Sequence, residues 1–502
     1  MVALELVLIA IASLFLLYKW LTATYNTFEL RGVPYEKPYP LVGNFGAVVL
    51  NKESMRKSFI EFYKRNKLHK VVGFYNFRTP AFIINDPELV KKLAVKDFES
   101  FPNHAPFFNA DDEPLFAGML SIMKDQRWKD MRNTLTPVFT AAKMRSMLPL
   151  MNECFLECIN NLNKKLEGGS CELEMKQFFT RLTNDIIATT AFGISINSYE
   201  NPKNEFYDIG QSITNFKGAQ MLKFMLSNVM PWLLKLLGVR VFDAHKTDYF
   251  MRLVVDSMKY REEHNIVRPD MIQLLMEAKK ESTQNWSDID IVAQCFVFFF
   301  AAFENNANLI CATCHELMEN PDIQQRVYEE CVEIKAELKE ETLNYETTNK
   351  MKYMEMVLNE TLRRWAFAAF TDRVCSKDYK LTDDDDKLLF EFKVGDRIFF
   401  PIGGFQLDEK YFENPDVFDP ERFSDENKGN IVPFTNIPFG VGPRICIGNR
   451  YALMQAKAIL YYLVTNYKLE RSEKTVKNVF DEMRGFQVTP NGGFWLRFVS
   501  RT

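Results

Sequence analysis

Phe439-Gly440-Val441-Gly442-Pro443-Arg444-Ile445-Cys446-Ile447-Gly448 is followed at once by Asn449-Arg450-Tyr451-Ala452-Leu453-Met454, a run with helical spacing. A cysteine at the head of a helix has its thiolate favoured by the N-terminal dipole and by free amides, so Cys446 is expected to be a ligating sulfur. The glycines let the backbone turn tightly and bring amides to that sulfur. A buried structural cysteine in a Gly-rich turn is the competing use.

Long helical patterns precede this loop. Met144 to Leu166, Lys176 to Ala191, Asp288 to Met318 and Asp322 to Leu338 each keep apolar residues at a period of about 3.6. Strand-like runs occur at Val71–Phe74, Ala81–Ile84 and Arg397–Phe400, so the prediction is a mainly α fold with small β-sheets. No Ser/Gly linker, internal repeat or low-complexity tract divides the chain. The run Asp383–Asp386 lacks the Gly and terminal Glu of a calcium loop and reads as a solvated turn between strands.

The composition, 47% hydrophobic and 25% charged over 502 residues, is that of a globular protein. With 62 basic against 66 acidic side chains there is no global basic field, and no nucleic-acid partner is expected. Forty-four Phe suit a large core or an aromatic-lined pocket for apolar ligands. Nine Cys, an odd number, read as reduced thiols and not as a disulfide framework. Val2 to Leu21 is apolar except for Glu5, Ser13 and Lys19, long enough to span a bilayer, and Glu5 argues against the positive start of a cleaved signal peptide. Lys19, Arg31 and Lys37 lie at or beyond its end, which places the body in the cytosol. Gly32-Val33-Pro34 and Pro38-Tyr39-Pro40 read as a proline-rich hinge over residues 30–44.

The Cys446 segment resembles the haem loop of the cytochrome P-450 family, and three further motifs extend the resemblance over nearly the whole chain. Glu360-Thr361-Leu362-Arg363 has the family's E-x-x-R form, and Phe418-Asp419-Pro420-Glu421-Arg422-Phe423 resembles the segment whose Arg joins that pair in a buried charge network. Trp128-Lys129-Asp130-Met131-Arg132 looks like the family's W-x-x-x-R helix. The resemblance implies a cytochrome P-450 fold preceded by a single N-terminal transmembrane helix: residues 1–22 as the anchor, 30–44 as the hinge and 45–502 as a haem-thiolate catalytic domain. It implies haem b (iron protoporphyrin IX) with Cys446 as the metal ligand, Phe439 and Gly448 in the loop beneath it, and Trp128, Arg132, Arg373 and Arg444 toward the propionates. Cys311-Ala312-Thr313-Cys314-His315 matches the C-x-x-C-H pattern of covalent haem attachment, but it lies in a long apolar helical pattern and is expected to be helix-buried thiols.

On the distal helix the chain departs from the family pattern A/G-G-x-D/E-T, reading Ala301-Ala302-Phe303-Glu304-Asn305. Ala302 adds a methyl where glycine leaves room, Asn305 replaces a hydroxyl relay by an amide, and Glu304 remains as an acid; these three are the candidate catalytic residues. Ala366-Phe367 stands where prolines are usual, and Gln406 where a His is common.

No G-x-G-x-x-G opening a helix, P-loop or H-E-x-x-H is visible, so electrons are expected from a partner. By resemblance that partner is an NADPH-dependent cytochrome P-450 reductase or a cytochrome b-type donor, met by Lys124, Arg127, Lys129, Arg450 and Lys457. Phe298-Phe299-Phe300, Asn359 to Trp365 and Gly492 to Leu496 look most like insect microsomal members with detoxification roles. The implied function is mono-oxygenation of lipophilic small molecules, xenobiotics or endogenous lipids and hormones, at the endoplasmic reticulum membrane. Ala302 and Asn305 keep two alternatives open: a haem-thiolate isomerase or dehydratase, and a haem-dependent binding protein with weak turnover. Pocket walls are implied in the Phe101 to Leu120 loop, around Phe216 and Phe224, and near Phe486.

Overall fold

In the computed structural model, which describes residues 2–501 apart from 107–112, 215–217, 282–285, 340 and 383–386, the first apolar segment is helix α1 (Val2–Leu21), none of whose residues is buried. At about 1.5 Å per residue its 20 residues reach about 30 Å, the hydrocarbon thickness of a bilayer, making it a candidate membrane anchor. The Asp383–Asp386 turn, Phe216 and part of the Phe101–Leu120 loop lie outside the described residues.

The segment after α1, which includes the expected hinge, is packed against the first sheet. Arg78 lies over the Trp20 ring at 3.4 Å and donates to the Trp20 carbonyl at 2.7 Å. Thr24 Oγ1 donates to the Arg78 carbonyl, and the amide of Gly73, in strand β1 (Val71–Asn76), donates to the Pro34 carbonyl at 2.8 Å. Prolines lack donors but keep carbonyls, so the segment accepts from the sheet edge instead of swinging. Phe28 is fully buried over Gly73, where a Cβ would sit 2.5 Å from its ring.

The helices that build the site are α2 (Asp125–Leu135), α3 (Ala141–Asn163), α4 (Met175–Ala191), α5 (Asp288–Glu319), α6 (Pro321–Leu338), α7 (Lys352–Trp365) and α8 (Asn449–Asn466). The four long periodic patterns thus appear with ends moved by a turn or less, and the fold is mainly helical with small sheets, as expected. Helix α5 starts at a capping box: Ser287 Oγ accepts from the Asp290 amide and the Asp290 carboxylate accepts from the Ser287 amide. Arg127 of α2 holds the other Asp290 oxygen at 2.8 Å. Long and apolar as α5 is, most of it is buried against α4, α7 and α8, which makes it a core helix.

Strands β2 (Thr79–Ile84), β3 (Ser170–Glu174), β4 (Thr371–Val374), β5 (Tyr379–Thr382), β6 (Leu388–Phe392), β7 (Arg397–Phe400), β8 (Tyr467–Arg471) and β9 (Trp495–Ser500) complete the fold. A four-stranded sheet runs β1-β2-β7-β4, a three-stranded one β3-β9-β8, and β5 pairs with β6. Register pairs Arg373 of β4 with Ile398 and Asp372 with Phe399, placing this end of the sheet beside the site.

Because only the last residues of α1, Trp20 and Leu21, pack against the body, deleting residues 1–22 is expected to lower its melting only slightly and to leave its visible absorbance unchanged while lowering sedimentation with lipid vesicles. Losing the Arg78–Trp20 contact costs about 1 kcal/mol. Undiminished vesicle binding would shift the anchoring role to another apolar surface, such as Met230–Leu233, where Trp232 is exposed.

Candidate active site

A cavity of about 490 Å³ lies between α5, the C-terminal part of α2 and the loop that leads into α8. That size falls in the range of about 300–1,000 Å³ typical of small-molecule and cofactor sites. The loop turns because Gly440 and Gly442 take φ of +82° and +70°, and a Cβ on Gly442 would run into the Ala94 carbonyl. The Cys446 amide closes the turn by donating to the Phe439 carbonyl at 2.9 Å. Gly448, at φ −93°, has no such conformational need; it contributes its amide to the Cys446 sulfur.

The Cys446 thiol opens onto the cavity, and Phe439, Arg444 and Gly448 line it alongside. Burial pushes this thiol up, while the Gly448 amide and the Arg132 guanidinium pull it back. The net shift is upward, and α8 begins three residues later, at Asn449. A coordinated metal ion deprotonates such a thiol outright. Among the described residues no three His, Cys, Asp or Glu side chains are grouped to hold a bare ion. A metal at Cys446 must arrive already carried by other ligands.

One wall is basic and short of anions. Arg444, 8% exposed, stacks on Trp128 at 3.8 Å and donates to neutral acceptors: the Pro102 carbonyl at 2.7 Å, Asn103 Oδ1 at 3.1 Å and the Met123 carbonyl at 3.0 Å. Burial and the nearby Arg373 push it down to about 9. Arg132 is also lowered by burial, and among the described residues neither it nor the Trp128 indole has a hydrogen-bond or ion-pair partner. A dianionic ligand is what this wall lacks, and the two propionates of a haem fit it.

Arg373 is placed differently from expectation. It is fully buried behind the wall, does not line the cavity, and braces the loop through the Val441 carbonyl at 2.8 Å. His104, which no motif singled out, does line the cavity; its Nδ1 is 2.9 Å from Asp372 Oδ1. Asp372 also accepts from the Ala105 amide at 2.6 Å, so its carboxylate is taken up by the loop and not by the arginines.

On α5, Ala301, Ala302 and Asn305 line the cavity and Glu304 does not. The Glu304 carboxylate instead pairs with Lys176 Nζ of α4, which corrects its expected role as an acid at the site. Asn305 Nδ2 donates to the Ala301 carbonyl at 2.7 Å, and α5 runs on without a break. Ala366 takes φ +42°, which proline cannot reach, so the usual proline is incompatible with this turn. At Gln406 the backbone carbonyl, not the side chain, holds Arg363 at 2.8 Å. Phe224 and Phe486 are partly buried against apolar clusters and do not themselves line the cavity, and His104 and Leu120 are the members of the Phe101–Leu120 loop that do.

Cys311 and Cys314 are fully buried in α5 with thiols pushed up by burial, and burial pushes His315 down to about 4. They form no second haem site. Of the five expected docking cations, Lys457 is buried and donates to Glu355 at 2.7 Å, which removes it from that role. Arg127 and Lys129 are paired with Asp290 and Glu99, while Lys124 and Arg450 are exposed.

Residues 33–497 match the family described as Cytochrome P450. The chain is 58% identical to "Cytochrome P450 9b2" of Drosophila melanogaster over the whole of both chains, and 52% identical to "Cytochrome P450 9b1" of the same fly over 97% of each. It is 40% identical to "Cytochrome P450 9e2" of Blattella germanica, covering 98% of this chain and 97% of that one. A mainly helical body, a cavity with one thiol and an anion-poor basic wall, and similarity along the full length give one conclusion: the chain belongs to the cytochrome P450 family of monooxygenases.

Proposed function

We propose that the cavity holds haem b with Cys446 as the proximal ligand, and that the protein oxidises lipophilic small molecules, xenobiotics or endogenous lipids and hormones, at the endoplasmic reticulum membrane. The observation that carries this is the pairing, in one cavity, of a single open thiol with two guanidiniums that form no ion pair among the described residues. When bound, the haem supplies the activation of dioxygen. The protein supplies the rest. Trp128, Arg132 and Arg444 bind and orient the propionates; Arg373 braces the loop; Phe439 packs beside the sulfur and the Gly448 amide moderates its basicity. Phe298, Phe367 and Phe370 line the same cavity, keep water out and favour apolar ligands. Residues 1–22 anchor the protein, 45–502 form the catalytic domain in the cytosol, and an NADPH-dependent reductase, or a cytochrome b-type donor, delivers electrons at the face carrying Lys124 and Arg450. A reduced, carbon monoxide-treated sample titrated with lipophilic compounds, followed by product analysis with reductase, tests this reading. A protein that takes up no haem would overturn it.

The Asn305 amide favours a second reading, a haem-thiolate isomerase or dehydratase, because an amide already bonded to the Ala301 carbonyl is a poor proton relay. Acid delivery is worth about 10²- to 10⁴-fold in rate. Under the monooxygenase reading Asn305→Thr, alone or with Ala302→Gly, is expected to raise product formed per reducing equivalent and to lower hydrogen peroxide release. Worse coupling in both variants, with product formed in the absence of reductase and dioxygen, would establish the rearrangement chemistry.

A further inference from the structure

The Asn305 side chain has one possible orientation. Its neighbour Ala301 offers a carbonyl oxygen, which can only accept, so the amide must present Nδ2 to it, as the 2.7 Å contact shows. The carbonyl Oδ1 is thereby turned away from the helix backbone. Among the described residues nothing donates to Oδ1, so both of its lone pairs are open, whereas Nδ2 has already committed one of its two hydrogens. Phe298, Ala301, Ala302 and Leu309 on the same helix, with Phe367, line the cavity without a side-chain donor, while the donors Ser121, Trp128, Arg132 and Thr371 of the same cavity stand on other elements. The nearest polar side chain along the helix, Asn306, is spent on Gln455 Oε1 at 2.6 Å, and Thr190 and Tyr451 are bonded to each other at 2.9 Å.

We infer that Asn305 is a specificity-determining residue whose carbonyl oxygen selects lipophilic ligands carrying a hydrogen-bond donor, a hydroxyl or N–H group, over isosteres that can only accept. A polar atom in an apolar cavity discriminates chiefly through the penalty of leaving it unpaired when the wrong ligand displaces its water. An ether oxygen brought against Oδ1 is disfavoured, whereas a hydroxyl repays the desolvation. The inference rests on the reading of this cavity as the seat of haem and a lipophilic ligand, and it names the chemical class of that ligand.

The test uses the full-length holoprotein and two probes of equal heavy-atom count, decan-1-ol and methyl nonyl ether, with dissociation constants taken from the shift of the Soret band. The quantity read is the ratio of ether to alcohol dissociation constants, compared between parent and variants so that the difference in water solubility cancels. Asn305→Leu is expected to lower that ratio roughly 3- to 10-fold, the worth of one neutral hydrogen bond. Asn305→Asp, which keeps an acceptor, is expected to preserve or raise it. Haem content of each variant is checked from the reduced carbon monoxide complex, and Asn305→Ala serves if the leucine variant is poorly loaded. An unchanged ratio in both apolar variants would overturn the inference while leaving the lipophilic site standing. If neither probe shifts the Soret band of the parent protein, the lipophilic site fails, and this inference with it.

Discussion

Cys446→Ser is expected to abolish the red-shifted Soret band of the reduced, carbon monoxide-bound protein and to reduce reductase-supported turnover to background. The red shift reports donation from a thiolate, and a serine hydroxyl neither ionises near neutral pH nor offers a soft, polarisable donor. The substitution is nearly isosteric, so the Gly440 and Gly442 turn and the Cys446 amide bond to Phe439 persist, and the loss traces to the sulfur and not to the loop. Specificity is checked with Cys171→Ser: Cys171, a half-buried thiol on β3, lies off the cavity and its replacement should leave the spectrum as it is. A Cys446→Ser protein with an intact band would remove Cys446 from the iron and with it the proposed site.

The second large effect lies in the charge network under α7. Glu360 and Arg363 are both fully buried, and Arg363 grips Glu360 with two bonds of 2.7 Å while donating to the carbonyls of Gln406 and Pro415 at 2.8 and 2.7 Å. The Asp419 amide adds a bond to Glu360 at 2.9 Å. Arg422 joins less closely: its Nε is 3.5 Å from Glu360 Oε1 and makes no hydrogen bond. Glu360→Ala or Arg363→Ala leaves one full charge buried without its partner, at a cost of about 3–5 kcal/mol. Such a loss is a large share of ordinary domain stability, so both variants are expected to accumulate as unfolded or haem-free protein. Arg363→Lys should do little better, because an ammonium cannot reproduce the two-pronged grip or reach both carbonyls. Arg422→Ala is expected to be milder than either. Chemical denaturation monitored by visible absorbance and far-ultraviolet dichroism checks the ranking, and an Arg363→Ala protein as stable as its parent would refute it.

Much of this is legible in the residues alone. The turn of the Cys446 loop is legible because it depends on Gly440 and Gly442 at positive φ, a requirement local in sequence. The long helices read correctly because their period is set by burial on one face. Glu304 is misplaced by motif matching for a reason the sequence does contain: at about 100° per residue, Phe298, Ala301, Asn305 and Leu309 share one face of α5 and Glu304 falls off its edge. Its partner Lys176 stands on another helix, more than a hundred residues away, and no periodicity reveals it. Arg373 and His104 share the same limitation. Their positions depend on how the end of β4 meets the loop near residue 104, a long-range contact made by Asp372. At residues 30–44 proline signals an extended backbone without saying that this backbone will rest on the first sheet, as the Gly73 amide to Pro34 carbonyl bond shows.

The fastening of residues 20–34 to the first sheet has a mechanical meaning. On a slack cord the body would take every attitude relative to α1. Here Arg78 grips Trp20 and the β1 amide of Gly73 holds the Pro34 carbonyl, so α1 and the first sheet turn as one lever. Were α1 to lie in a bilayer, tilting it would steer the body, and breaking the Arg78–Trp20 grip would uncouple rudder from hull without disturbing a single residue of the cavity.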